Sequence, residues 1–248
     1  MSSPGKIFEE LQRNAGIATR LAEDGNHVVA VDVSEGVVDV AAGWAAAGLS
    51  AESKIVDLAD RAAIDKLVGE VVSTHDRLDI LVNNAGIAPK VDGRRPVSET
   101  MPMEQWDQVL QVNLSTPFQL ARLAIAPMRA RGWGRIINIS SRAGRTLVPT
   151  AGAHYAATKA GLIGLGRVLA GELAPVGITV NTIAPGRVET PLSEHGSAEM
   201  LAALKREIPV GRAGRPEEIA AVSSFIAGDE SAFITGAVFD VNGGVSML

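Results

Sequence analysis

The sequence predicts an α/β chain: a doubly wound parallel sheet with helices on both faces. Three observations predict it. Short Val/Ile/Leu-rich runs alternate with longer Ala-rich helical patterns, which is the order of a parallel sheet and its crossover helices. The runs are near-continuously apolar instead of alternating, as strands buried on both faces must be. No linker, composition shift or long-period repeat divides the 248 residues, so a single domain over 1–248 is expected.

The strand-like runs are residues 27–32, 53–57, 78–83, 134–140, 177–183 and 237–241. Helical patterns occupy 61–74, 103–131, 153–173 and 216–228, among others. Pro216 with Glu217 and Glu218 makes a good first turn, because proline has no N–H to lose there and carboxylates face the positive end of the helix. The N-terminus reads differently. Ile7, Leu11, Ala15, Ala18 and Ala22 follow helical spacing, and no β-branched run precedes Gly16. Residues 6–14 are therefore expected to be helix, with no strand before them.

Composition narrows the function. With 23 Lys+Arg against 28 Asp+Glu the net charge is −5, which argues against a phosphate-neutralising nucleic-acid surface. No apolar run approaches the roughly 20 residues of a membrane span, and Glu9 and Glu10 stand where a signal peptide needs apolar residues. The absence of cysteine excludes disulfides, thiolate nucleophiles and Cys-ligated metals, and suits a cytoplasmic location. The histidines His27, His75, His154 and His195 show no paired ligand spacing, so no metal is expected.

The chemistry gathers around the single tyrosine, Tyr155. Lys159 follows it by four residues in a helical stretch, so the two share a face with Cβ atoms about 5–6 Å apart. At roughly 5 Å and an effective dielectric of about 20, an ammonium favours the phenolate by ~3 kcal/mol. That corresponds to about two pK units below 10 and would bring the phenol toward proton transfer. Upstream, residues 134–141 form a buried strand ending in Ser140 and Ser141, and residues 81–86 end another in Asn83-Asn84-Ala85-Gly86. Both ends lie at the carboxyl edge where open α/β sheets bind ligands. Asn113 sits within a helix, where a polar side chain needs a reason.

Taken together, Asn83-Asn84-Ala85-Gly86, Asn113, Ser141, Tyr155-Ala-Ala-Thr-Lys159 and Pro185-Gly186-Arg-Val-Glu-Thr190 resemble the ordered motifs of the short-chain dehydrogenase/reductase family. The likeness extends from about Leu21 to the C-terminus. Val241-Asn-Gly-Gly244 and the overall pattern are most similar to its 3-oxoacyl-(acyl carrier protein) reductase branch. The resemblance implies a Rossmann-like fold and hydride transfer between a nicotinamide and a ketone/secondary-alcohol pair. It implies that Tyr155 is the general acid/base, that Ser141 binds the same oxygen, that Lys159 holds the nicotinamide ribose, and that Asn113 holds a proton-relaying water. Ser140 is the competing hydroxyl; the family pattern places the reactive serine second in such a pair.

For the cofactor, Asp32 at the end of its strand can accept from ribose hydroxyls and repels a 2′-phosphate, so NAD(H) is expected over NADP(H). By the same resemblance Asp57 and Leu58 meet the adenine, Asn83, Ala85 and Gly86 pack along the cofactor, and Pro185, Gly186, Val188 and Thr190 meet the nicotinamide. Pro185-Gly186 leads into residues 187–207, which resemble the family's substrate lid.

The departure is at the start. The family opens with a strand and a Thr-Gly-x-x-x-Gly-x-Gly turn whose backbone approaches the pyrophosphate, and residues 6–14 stand in that place. The missing strand belongs beside the Asp32 and Asn83 strands. An altered 5′ coding end, a natural variant that lost the turn, and replacement by another segment are the three explanations. The last is disfavoured because no strand-like segment is left over. The alternative to an enzyme is therefore a non-catalytic, cofactor-impaired protein that binds or oligomerises.

Arg142 and Arg145, in the loop after Ser141, are candidates to meet an anionic substrate. Arg129 and Arg131 offer a basic rim for an acyl carrier protein, but Gly171 stands where the branch often has arginine. A free small ketone or alcohol is the expected substrate. A homotetramer is expected by resemblance, the helices 103–131 and 153–173 pairing across one interface.

Overall fold

The computed structural model describes residues 15–91, 93–189 and 206–247. Its chain divides into two compact units, residues 1–56, 185–225 and 241–248 in one, and 57–184 and 226–240 in the other. Among the described residues no helix is long and apolar enough to cross a membrane.

In the first unit, helix α1 (Gly16–Glu23) leads to strand β1 (Val28–Asp32), helix α2 (Gly36–Ala46) and strand β2 (Ala51–Ile55). The strands pair in parallel, Val28 opposite Ala51 and Asp32 opposite Ile55. Val40, Ala41 and Trp44 of α2 pack on Val28, Ala30 and Ala51, and on Ala15 and Ala18 around α1. Buried Trp44 gives its indole N–H to the Thr19 hydroxyl at 3.0 Å, so the ring is covered without stranding a donor. Helix α7 (Pro216–Ala227) lies mostly in this unit.

The second unit holds α3 (Arg61–His75), β3 (Ile80–Asn83), α4 (Met103–Leu110), α5 (Thr116–Arg131), β4 (Gly134–Ile139) and α6 (Ala153–Leu173). β5 (Ile178–Pro185) and β6 (Val238–Val241) complete a four-stranded sheet in the order β3-β4-β5-β6. β3, β4 and β5 run parallel, Asn83 opposite Asn138 and Ile139 opposite Ile183. Every residue of β4 is buried, as its continuous apolar run requires. Ala121, Ala124 and Met128 of α5, Leu169, Ala170 and Leu173 of α6, Ile136 of β4, and Ile178 and Val180 of β5 form the core. The turns entering β4 and β5 touch: a Cβ on Gly177, whose φ is +79°, would meet the Gly132 carbonyl oxygen at 2.1 Å, so only glycine fits.

The Rossmann-like α/β fold is as expected, with three corrections. The strands form two sheets instead of one, and among the described residues no strand pairs with the second edge of β1 or the outer edge of β3. The expected helix 6–14 lies outside the described residues. The expected strand 53–57 lies at Ala51–Ile55, leaving Asp57 in the following turn. The expected single helix 103–131 is interrupted at Gln111–Ser115 by one widened, π-helical turn. Asn113 is at its centre, and such bulges recur at functional sites.

Candidate active site

Four side chains of the second unit meet at the carboxyl ends of β3 and β4. The chain leaves β4 extended through Ser141 and enters a 3₁₀ turn over Arg142–Gly144. The Ser141 hydroxyl accepts from the Ala143 N–H at 3.1 Å, which fixes the oxygen, and it stands near enough to the Tyr155 phenol to favour the phenolate. Gly144 lets this turn lie directly on α6, since a Cβ there would fall 2.5 Å from the Lys159 carbonyl carbon.

Ser140 has a different task. It is buried, and its hydroxyl donates to the Lys159 carbonyl oxygen at 2.6 Å. Consecutive residues at the end of a strand point to opposite sides, so one serine of the pair reaches the α6 backbone and the other the phenol.

Lys159 is 4% exposed and donates through Nζ to the Ile139 carbonyl at 2.8 Å. Burial pulls its ammonium down to about 8, because a charged amine loses hydration there. Nζ lies 5.7 Å from the Tyr155 ring centroid, so the two share the helix face their spacing predicted. The expected drop of the phenol does not follow. Burial pushes Tyr155 up from its ordinary value, and the Ser141 bond offsets this only in part. The same desolvation acts on both partners, and the ammonium is directed to a backbone carbonyl.

Asn113 is fully buried and clasps the backbone of one residue on both sides: its Oδ1 accepts from Ile87 N–H at 2.8 Å and its Nδ2 donates to Ile87 C=O at 2.9 Å. Nδ2 also reaches the Thr158 hydroxyl at 3.3 Å. That grip sets the loop after β3. A Cβ at Gly86 would stand 3.3 Å from Lys159 Nζ and 3.4 Å from Asn113 Oδ1, so Gly86 keeps a small hollow open beside the lysine. Asn83 donates to Asn138 Oδ1 at 2.8 Å across β3 and β4, holding that loop to the sheet. Ala85 and Gly86 follow it.

Asp57 and Leu58 open the loop before α3. The Asp57 carboxylate accepts from Ala59 N–H at 2.8 Å, and Leu58 C=O accepts the Thr116 hydroxyl at 2.6 Å. The Asp57 side chain therefore caps its own turn.

The first unit holds the rest. Asp32 ends β1 exposed, with Oδ1 accepting from Ser34 N–H at 2.8 Å. Pro185 ends β5; Gly186 donates to Val241 C=O at 2.9 Å, and a Cβ on it would lie 2.8 Å from Asn242 Cα. Val188 bridges Gly214 through the Glu189 N–H and Arg187 C=O. Thr190 and His195 lie outside the described residues.

Arg145 is corrected. Its guanidinium sits 3.4 Å from the Asp240 carboxylate, so it is an internal tether of the Ser141 loop and not a free cation for substrate. The partner lies ninety-five residues away, beyond any local pattern. Sequence reasoning also missed His154, buried beside Tyr155; the signal available was the Gly152-Ala-His154 order at the start of α6.

The chain matches the family model described as Enoyl-(Acyl carrier protein) reductase over residues 14–246. It is 37% identical over 252 residues to the 3-oxoacyl-[acyl-carrier-protein] reductase FabG of Escherichia coli (strain K12), covering 100% of both chains. A structure of a 3-oxoacyl-[acyl-carrier protein] reductase with bound NAD from Brucella melitensis is similar with a TM-score of 0.87 and 36% identity, over 94% of this chain and 86% of that one. A candidate NAD(P)-dependent gluconate 5-dehydrogenase from Beutenbergia cavernae, with NADP bound at low occupancy, gives a TM-score of 0.86 and 37% identity over 93% and 90%.

Proposed function

The chain belongs to the short-chain dehydrogenase/reductase family, and from that premise we propose how its own residues interconvert a ketone and a secondary alcohol. The observation that carries the reading is the placement of the Ser141 hydroxyl where it lowers the Tyr155 pKa, with Lys159 one helical turn further on. A nicotinamide, when bound, supplies or accepts the hydride. Ser141 and Tyr155 together hold the substrate oxygen, and Tyr155 gives it the proton as the alkoxide forms. Because burial keeps the phenol protonated, Tyr155 is set as the acid for ketone reduction. Lys159 binds the ribose hydroxyls and supplies positive charge beside the phenol, and Asn113 keeps the hollow at Gly86 in shape.

For the coenzyme we infer NAD(H). Asp32 turns one oxygen onto its own loop and offers the other to a ribose diol, where a 2′-phosphate would meet like charge. Asn83, Ala85, Gly86, Pro185, Gly186, Val188 and Thr190 serve the nicotinamide side, and Asp57 with Leu58 the adenine side. The relatives point both ways: one similar structure holds NAD and another NADP.

A small free ketone is the proposed substrate, with an acyl-carrier-bound one as the alternative that the reductase relatives suggest. A single dehydrogenase domain, a homotetramer and a cytoplasmic location complete the reading. One family spanning 14–246 supports the first, exposed Phe118 on α5 and Val168 on α6 support the second, and the lack of cysteine supports the third.

Titration with NADH and NADPH, followed by nicotinamide fluorescence, tests the reading. NADH is expected to bind more tightly, and Asp32→Ala to narrow the difference. A clear NADPH preference would refute the Asp32 assignment, and failure to bind either coenzyme would favour a non-catalytic protein.

A further inference from the structure

The first turn of a helix leaves backbone N–H groups without intrahelical partners, and a polar side chain at the N-cap usually takes one of them. α6 starts on Gly152, which has no side chain to offer. Nothing larger fits, for a Cβ at 152 would stand 2.8 Å from His154 Cε1 and 3.2 Å from Pro96 Cδ. The His154 ring occupies that space and does the capping. Its Nδ1 accepts the Tyr155 N–H at 2.6 Å.

That bond dictates the tautomer. Nδ1 carries no proton, so the neutral ring carries it on Nε2. His154 is 1% exposed, and its Nε2 is buried without a hydrogen-bond partner among the described residues. Burial also lowers the histidine pKa, which keeps the ring neutral. A buried orphan donor costs stability, so packing alone would favour an apolar side chain of the same size. The ring's return on that cost is the Nδ1 acceptor, and its recipient is the backbone of Tyr155.

We propose that His154 is a positioning residue: it caps α6 at the Tyr155 N–H and thereby sets the phenol against Ser141. This rests on the acid/base role proposed for Tyr155. Nothing in the histidine touches the reacting atoms.

The test compares His154→Leu, which fills the space without an acceptor, with His154→Asn, whose Oδ1 restores one. His154→Leu is expected to keep its Tm while kcat falls about tenfold at unchanged KM, since a misplacement of about 1 Å can cost on the order of a hundredfold. His154→Asn is expected to recover kcat to within about threefold, a difference of less than 1 kcal/mol in the barrier. Tyr155 is the chain's single tyrosine, so near-ultraviolet phenolate absorbance gives a second readout that needs no turnover. Without its place against Ser141, which lowers it, the phenol of His154→Leu is expected to titrate further above the ordinary value than wild type, and that of His154→Asn to match wild type.

Unchanged kcat in His154→Leu overturns the proposal, as does equal loss in both variants, or a fall in kcat that tracks Tm and KM. Should His154→Leu not fold, failure of His154→Asn to keep wild-type kcat and phenol titration overturns it by itself. A wild-type protein that reduces no ketone would refute the function proposed above, and the phenol titration would then decide the cap alone.

Discussion

Gly144→Ala puts the active-site geometry to the most direct test. A methyl group at this position would lie 2.5 Å from the Lys159 carbonyl carbon and 2.7 Å from both the Lys159 oxygen and the Ala160 nitrogen. All three are backbone atoms inside α6, so no side-chain rotation relieves the contact. Carbon atoms pack best at about 3.5–4.0 Å, so the Arg142–Gly144 turn must retreat by roughly 1 Å. Overpacking of this kind costs about 1–3 kcal/mol, and at this chain length each kcal/mol lowers Tm by about 2–4 °C. The same turn carries Ser141 away from Tyr155, and a displacement of about 1 Å can cost on the order of a hundredfold in rate. Calorimetry and the loss of nicotinamide absorbance with a ketone substrate measure the two effects. Gly69→Ala on α3 is the control: among the described residues no atom lies within 4 Å of its added Cβ. It should raise stability by roughly 0.5–1 kcal/mol and leave kcat unchanged. Retention of both Tm and kcat in Gly144→Ala, or an equal loss in Gly69→Ala, would refute the close packing of the turn on α6.

Three further outcomes are expected. Ser141→Ala should lower kcat by about 10²–10³, the usual loss for a donor to a developing oxyanion, with little change in Tm. Ser140→Ala should do the reverse, losing about 1 kcal/mol of stability with the buried hydrogen bond to the Lys159 carbonyl while keeping most of kcat; equal kinetic losses would refute the division of labour. Lys159→Met tests the buried ammonium through pH. The folded amine titrates at about 8 and the unfolded one at its ordinary 10.5, so the unfolded state binds more protons between those values. Wild-type stability should therefore rise relative to Lys159→Met as pH climbs from about 8 to 10.5. A flat difference in denaturation midpoint across that window would count against a buried charge.

Much of the fold was legible because it rests on local period. The spacing of apolar residues placed α6 at Ala153–Leu173 with no error at either end, and helical spacing put Lys159 on the Tyr155 face. The continuous Val/Ile/Leu runs marked β4 and β5 as strands buried on both faces. Helix α1 at Gly16–Glu23 agrees with the helical spacing of Ala18 and Ala22.

Other features depend on what lies across space. The Ser140 hydroxyl is taken by the Lys159 carbonyl, which leaves Ser141 to meet the phenol. Arg145 is spoken for by Asp240, and Asn113 by the Ile87 backbone, both through contacts distant in sequence. The direction of the Tyr155 phenol was misjudged because pairwise attraction was counted without desolvation.

By itself, then, the sequence determined the α/β class, the order of the elements and the residue types at the site, since these follow from short-range periodicity and side-chain chemistry. Only the tertiary structure decided which hydroxyl is free, which arginine is paired and which way each proton is held. Those depend on burial and on partners brought together by the fold, and neither quantity is carried by any local stretch of chain.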